Sequence, residues 1–493
     1  MITIALVPLD ERPVCRTLPA LIAAVAGARV CGPPPRALPA KRQPGDADAI
    51  AGWLRTTRAD AAVVSLETLA HGGLIASRLS QEPVTAALAR WRVLGELPQP
   101  VHAATVVQRT PDADDAGEEP GYWATSGRAL HRYSAALHRT LRDGAAAPDP
   151  ATVPAAARQD FLRRRHRNHL LNQHALGLAA DGTLRTLVIG ADDSAVDAVG
   201  TAEWQWLRAW AGWLEPRGTV LSHPGADETG AVLVARALAQ TADVAPDVAV
   251  VCADPAKLSL IAPYEPVPVG VGAMSQLAAA GARPGLAASS TPPDAPAVLV
   301  VHPPRPGGAD WAVNPPAAPD PGAAAATAVL IERLLTAGKT VAVADCATPN
   351  GADPALLAAL VERNLLPRLA GYAGWNTAGN TLGSAAAHLT AYLVGTATGT
   401  LDRRAHERLL AHRIAEDHAY MSHGRAVIRA ELGTDPTRHD EVAPGAGVEE
   451  RIERLVTARW RQLDPLPGWR VRPGSVALPW GRTFEIDIDV EQQ

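Results

Sequence analysis

The chain has 493 residues, 47% of them hydrophobic and 20% charged, with a formal net charge of -5. This is the composition of a folded globular protein, and it excludes general disorder. The charge balance offers no basic stripe for nucleic acid, so no nucleic-acid partner is predicted. The four cysteines are far apart and form no C-x-x-C pair. A chain of this length needs no disulfide to hold its core, so reduced thiols are expected.

The amino-terminal segment is apolar for too few residues to act as a signal peptide. It reaches Asp10, Glu11 and Arg12 where an apolar secretory segment would continue. No apolar run approaches the length of a membrane span. The sequence therefore predicts a cytoplasmic protein without a membrane partner, and it leaves the oligomeric state open.

Short apolar runs alternate along the chain with Ala- and Leu-rich helical stretches, which predicts parallel strands covered by helices on both faces. Eight or nine such units fit a (β/α)8-like barrel, the fold that we favour. A doubly wound α/β fold with two lobes is the alternative. The predicted strands are 2–7, 61–65, 101–107, 187–190, 219–222, 248–252, 297–301, 341–344 and, more weakly, 369–373.

Two segments depart from this alternation. Residues 112–182 are too many for a loop and predict a helical insertion within an α/β catalytic domain that spans residues 1–400. Its run RRRHRNH is typical of a solvated helix face, with an anionic partner as the less favoured alternative. Residues 401–493 predict a helical extension that ends in an edge strand. On the helix near residue 210, Trp206, Trp210 and Trp213 share one face and are expected in the core.

Polar side chains follow almost every predicted strand. In parallel α/β folds, ligands bind at the carboxyl ends of the strands, so these side chains predict one polar cleft. Helix capping is an equally good explanation for Asp193 or Asp227 alone, but it does not explain Arg109 or His71. The residues expected to bind substrate are Asp10, Arg12, Glu67, His71, Arg109, Asp227, Asp345, Asn350, Trp375, Asn376 and Asn380.

The adjacent pair Asp192-Asp193 is the predicted catalytic pair. Two carboxyl groups that converge on one site cannot both ionise freely, so one of them retains a proton and can donate it. Gly190 and Ser194 flank the pair and would allow a turn that directs both side chains inward. The alternative is one exposed Asp beside one helix cap.

The segment GYAGWNTAGNTLG is the second candidate. Trp375 offers a flat apolar ring, and Asn376 and Asn380 offer amides. A sugar presents C–H faces and hydroxyl edges, so this combination indicates a sugar pocket. The alternative is a glycine-rich connection from strand to helix in which Trp375 belongs to the core.

Scattered acidic and histidine residues give only a weak indication of a metal site. The candidate ligands are His71, His223, Asp10, Asp227 and Asp345. No cofactor is predicted, because no zincin, nucleophile-elbow or dinucleotide-binding motif stands after a strand.

The motifs VPLDERPV, SLETLAHGGLIASR, GADDSA, HPGADETG, NGADP and GYAGWNTAGNTLG together resemble the bacterial family of domain of unknown function 4127. They occur in the same order, from the first strand to about Val394. More distantly, the Asp-Asp pair and the later Trp/Asn turn resemble β-N-acetylglucosaminidases of the O-GlcNAcase clan. That resemblance implies that Asp192 polarises a substrate acetamido group and that Asp193 protonates the leaving oxygen.

The sequence therefore predicts a glycoside hydrolase that acts on a small glycoside, with N-acetylamino sugars among the candidate substrates, by carboxylate acid/base catalysis. Glu67, Asp227 or Asp345 would substitute if the Asp192-Asp193 pair is structural, and Asp10 with Asp345 is another possible pair. A metal-dependent hydrolase or lyase and a non-catalytic sugar-binding protein are the alternatives.

Overall fold

The structure is a computed structural model that describes every residue except 287–293, 306, 308, 313, 317, 434–440, 444 and 446. The chain divides into two compact units. Unit 1 contains Met1–Glu11, Arg29–Leu233 and Tyr264–Pro266. Unit 2 contains Arg12–Ala28, Val234–Pro263 and Val267–Gln493.

Thirteen strands are numbered along the described chain. They are β1 Thr3–Val7, β2 Arg29–Cys31, β3 Ala61–Ser65, β4 Val101–Val107, β5 Thr186–Ala191, β6 Thr219–Pro224, β7 Asp247–Val251, β8 Arg283–Leu286, β9 Ala297–His302, β10 Thr340–Asp345, β11 Gly371–Ala373, β12 Trp469–Val471 and β13 Val490–Gln492.

Sixteen α-helices are numbered in the same way. They are α1 Pro13–Val25, α2 Ala47–Thr56, α3 Leu66–His71, α4 Leu74–Leu79, α5 Val84–Trp91, α6 Trp123–Asp143, α7 Ala155–Ala180, α8 Val199–Leu214, α9 Thr229–Thr241, α10 Val269–Ala279, α11 Pro321–Thr336, α12 Pro354–Glu362, α13 Ala378–Thr398, α14 Arg403–Arg413, α15 Arg425–Leu432 and α16 Val448–Leu463. A π-helix, Ile414–Gly424, joins α14 to α15.

Unit 1 is built on a parallel sheet of six strands in the order β2-β1-β3-β4-β5-β6. Strands β1, β3, β4 and β5 are buried along their whole length. Their continuous apolar sequences fit a sheet that is covered on both faces. The carboxyl ends of β4 and β5 are neighbours in this sheet, so the residues that follow them lie side by side.

Unit 2 contains a parallel sheet of five strands in the order β11-β10-β9-β7-β8. Strands β12 and β13 form a separate antiparallel pair near the end of the chain. When the strands of each unit are numbered from one along the chain, the six-stranded sheet has the order 2-1-3-4-5-6 and the five-stranded sheet has the order 2-1-3-4-5. In sheets of this order, ligands bind where the direction of winding reverses, outside the carboxyl ends of the strands.

The α/β class and its parallel strands are confirmed. The closed eight-stranded barrel is not found, because no pairing in the described chain joins the outer strands of either sheet. Alternation of strand and helix is common to barrels and open sheets. What separates them here is the pairing of β1 with β2 on one side and β3 on the other, which hydrophobic periodicity does not encode.

The tryptophan prediction on α8 is wrong for two residues. Trp206 is 49% exposed and Trp213 is 63% exposed, while the neighbouring Trp204 is the buried one. Helical spacing places the three rings on one face but does not say which face meets the sheet. Among the described residues, no helix combines the length and the apolar character that a bilayer crossing requires.

Candidate active site

The two carboxyl groups predicted to be catalytic follow β5 in unit 1. The backbone N–H of Asp192 donates to the carbonyl of Val107 at 3.1 Å, and the Ser194 hydroxyl donates to the carbonyl of Asp192 at 2.7 Å. A Cβ at Gly190 would lie 2.7 Å from the carbonyl oxygen of Gly225. Gly190 is a residue of β5, and it leaves room for the backbone of Gly225 to approach the strand just before the Asp192-Asp193 pair.

Both oxygens of Asp192 are engaged. Oδ2 lies 2.7 Å from Nη2 of Arg78, and this pair is buried. Oδ1 accepts the backbone N–H of Asp193 at 3.0 Å. The Asp192 carboxylate is therefore fixed in position next to its neighbour.

Asp193 is the more accessible of the two, with 38% of its side chain exposed. Loss of hydration and the nearby Asp192 carboxylate raise the pKa of Asp193 to about 6, although Arg109 acts in the opposite direction. The Asp227 carboxylate adds to the upward shift. Asp193 therefore combines access to solvent with a proton that it holds up to mildly acidic pH.

Two further acidic residues complete the cluster. Arg78 contacts Glu118 at 3.0 Å and Glu119 at 3.2 Å. Arg109 contacts the same two residues at 3.0 Å each, and it reaches Asp193 at 3.2 Å. Four carboxyl groups thus share two guanidinium groups. Retention of a proton on one carboxyl group relieves the excess negative charge.

The sequence predicted Asp192, Asp193 and Arg109 in this site but missed the others. Arg78 ends the motif SLETLAHGGLIASR, and Glu118 and Glu119 form an acidic pair inside the predicted insertion. All three are at least nine-tenths buried. None of the three directly follows a strand, so a search restricted to strand ends could not find them.

Glu67 and His71 lie on α3, next to this cluster in the same unit. Glu67 accepts the N–H of Val106 at 2.7 Å and the hydroxyl of Thr105 at 3.1 Å. Burial raises the pKa of Glu67 to about 7. Burial likewise lowers the pKa of His71 to about 3. Both residues line a small cavity together with Ser77, Gln108, Asn168 and Asn172.

The other residues predicted in unit 1 are Asp10 and Asp227, which follow β1 and β6. Asp10 is 2% exposed, and Asp227 acts on Asp193 through its charge. His223, a candidate metal ligand, is fully buried with Nδ1 3.6 Å from Glu228. Arg12 belongs to unit 2, where its guanidinium lies 3.7 Å from Glu485.

Asp345 lies in unit 2 at the end of β10 and holds the following loop. It accepts the hydroxyl of Tyr372 at 2.9 Å and the backbone N–H of Asp353 at 2.6 Å. Burial raises the pKa of Asp345. Asp353 pairs with His302 and Arg305, at 3.2 and 2.6 Å. This local network accounts for the burial of a carboxyl group at this strand end.

The remaining predicted residues lie in unit 2 near the end of β11. Asn350 and Asn376 both have positive φ, 63° and 61°, and the N–H of Asn350 donates to the carbonyl of Asn376 at 2.9 Å. Trp375 is fully buried, with its ring 6.4 Å from that of Phe484. Asn380 is 3% exposed and donates to Thr377 at 3.0 Å. The Trp375 ring is thus closed off from solvent.

A second pocket of unit 1 begins at the acidic cluster and is closed by the insertion. Trp123 and Phe161 pack with their ring centroids 5.9 Å apart. The indole Nε1 of Trp123 is buried without a hydrogen-bond partner in the described part of the chain. The pocket is lined by Arg78, Gln108, Arg109, Glu119, Pro120, Tyr122, Trp123, Phe161, Arg164, Arg165 and Asn168.

Comparison with protein families gives one match, which covers nearly the whole chain. The profile described as "Protein of unknown function (DUF4127)" matches residues 4–489. This confirms the resemblance that the strand-end motifs indicate. The comparisons with curated proteins and with solved structures each found no match.

Proposed function

The chain belongs to the DUF4127 family, and we propose that it is a hydrolase that cleaves a small glycoside with Asp193 as the proton donor. One observation carries this proposal. Asp193 is 38% exposed and has a pKa raised to about 6, beside an Asp192 carboxylate that Arg78 holds in place. General acids work best when their pKa lies near the working pH.

The reaction divides the work between the two carboxyl groups. Asp193 gives its proton to the glycosidic oxygen while the bond from that oxygen to the anomeric carbon breaks. The Asp192 carboxylate stabilises the positive charge that develops on the sugar ring. Water then adds to the anomeric carbon and returns a proton to Asp193, which restores the acid.

The side chains beside the cluster are of the kinds that bind a carbohydrate. Aromatic side chains pack against the C–H faces of a sugar, and polar groups bind its hydroxyls. Tyr122 supplies a half-buried ring, and Asn168 and Gln108 supply amides. The proposal does not use the rings of Trp375, Trp123 and Phe161, because all three are buried.

Hydrolysis of aryl glycosides, including N-acetylhexosaminides, by the purified protein tests the proposal. We expect Asp193→Asn to lower kcat by about 10²–10⁴-fold while ligand binding by calorimetry persists, since general acids contribute about this much. The control is Asp112→Asn, the same change at an exposed residue, which should keep full activity.

Two outcomes would contradict the proposal. Loss of activity on EDTA treatment would favour a metal-dependent hydrolase or lyase. Sugar binding without turnover, unchanged in Asp193→Asn, would favour a binding protein.

A further inference from the structure

Two arginines of the run in α7, Arg164 and Arg167, contact the end of a short helix. Nη1 of Arg164 donates to the carbonyls of Leu79 and Ser80 at 2.5 and 2.8 Å. Arg167 donates to the carbonyls of Ser77 and Ser80. The prediction of a purely solvated face is therefore wrong for these two arginines. They bind the last turn of α4.

This turn needs support from outside. The last carbonyls of a helix have no partner within it, and they form the negative end of the helix dipole. Helix α4 has only six residues, and two glycines with positive φ, Gly72 and Gly73, separate it from α3. Guanidinium groups at this end satisfy the carbonyls and oppose the negative charge.

The supported turn carries Arg78, the partner of Asp192. Its Nε donates to Oε1 of Gln108 at 3.2 Å, and Nε2 of Gln108 donates to the hydroxyl of Ser77 at 2.9 Å. The turn is thus held by α7 on one side and by the end of β4 on the other. Arg78 reaches Asp192 from a backbone that α7 fixes.

We propose that Arg164 and Arg167 are positioning residues, which hold the end of α4 so that Arg78 stays in contact with Asp192. The catalytic consequence rests on the proposed function. The contacts themselves do not.

The direction in which the pKa of Asp193 shifts when Arg78 moves follows from the charges that face Asp193. If Arg78 moves away, Asp193 loses a cation that lowers its pKa, and Asp192 loses its partner. Both changes favour the protonated pair, so its pKa rises. The charged groups that act on Asp193 directly or through the shared arginines are Asp192, Asp227, Arg78, Arg109, Glu118 and Glu119.

The experiment compares Arg167→Met with Arg163→Met, an exposed arginine of the same helix. The full chain is labelled with ¹³C at the aspartate carboxyl groups, and Asp193→Asn assigns the signal. We expect the titration midpoint of Asp193 to rise by roughly half a pH unit or more in Arg167→Met and to stay unchanged in Arg163→Met. Arg167→Lys, which keeps the charge, should fall between them.

A second variant, Asn168→Ala, removes a side chain that orients Arg167 without removing a charge. Oδ1 of Asn168 accepts from Nε and Nη2 of Arg167, at 3.0 and 2.8 Å. Asn168→Ala should therefore also raise the midpoint, by less than Arg167→Met. This variant decides the question if Arg167→Met does not fold. A wild-type midpoint in folded Asn168→Ala and Arg167→Met would overturn the inference.

The two proposals fail separately. If no glycoside is cleaved but the midpoint moves as expected, the proposed function is wrong and the positioning role stands. If the wild type cleaves a glycoside but its pH–rate profile and the carboxyl midpoint are the same in all variants, the positioning role is wrong.

Discussion

Replacement of Arg78 by Met would test how the buried cluster is held together. Arg78 contacts Glu118, Glu119 and Asp192 at 2.7–3.2 Å, and its side chain is 4% exposed. Methionine keeps much of the volume but leaves buried carboxylates without this partner. Removal of one member of a buried ion pair costs about 3–5 kcal/mol, and because Arg109 still contacts Glu118 and Glu119 we expect the lower end of that range.

The loss of folding stability in Arg78→Met should depend on pH. Carboxyl groups that lose their cation in the folded protein gain a pKa above that of the unfolded chain, so protons bind preferentially to the folded state. The destabilisation is then smallest near about pH 4 and grows as pH rises toward about 7. Thermal unfolding of both proteins at several pH values measures this difference.

The control is Arg55→Met, which breaks an exposed pair with Glu96, 2.7 Å apart. This change should alter the unfolding temperature far less. A loss of stability in Arg78→Met that equals the control, or that shrinks as pH rises, would refute the account of the cluster.

Glu67→Gln should remove a pH-dependent loss of stability. With the pKa raised to about 7 by burial, the wild type loses on the order of 3 kcal/mol between about pH 4.5 and 7, which denaturation at both pH values would detect. A variant with the same pH dependence as the wild type would contradict this. Gly127→Ala should displace the loop before α6, because a Cβ would lie 2.0 Å from the carbonyl oxygen of Ala113. We expect a loss of about 1–3 kcal/mol by thermal unfolding, against little change in Gly121→Ala, where the Cβ meets open space; equal effects would count against it.

The strands of the two large sheets could be predicted from the sequence because most are continuous apolar runs. Nine predicted strands correspond to β1, β3–β7 and β9–β11. Strands β2 and β8 were missed, and both include exposed or half-buried residues with no apolar run. The sequence could not distinguish a closed barrel from open sheets, because strand order depends on contacts between distant residues and local periodicity does not report them.

The site could be predicted only where a polar residue directly follows a strand. Asp192, Asp193 and Arg109 satisfy this rule, since β4 and β5 are neighbours. Arg78 comes from a short helix, and Glu118 comes from the loop before α6. Their positions follow from tertiary packing, and no spacing in the sequence relates them to Asp192. The role of Arg167 was hidden for the same reason.

The carboxyl titration of Asp193, measured by ¹³C NMR in the wild type and in Asp192→Asn, addresses the proton donor itself without any substrate. If the neighbouring carboxylate contributes to the proton affinity, the wild-type midpoint lies at about 6 and falls in Asp192→Asn. The midpoint of the variant should stay above the ordinary aspartate value of about 4, because loss of hydration and the Asp227 carboxylate still raise the pKa of Asp193. A midpoint near 4 in both proteins would show that Asp193 holds no proton for catalysis.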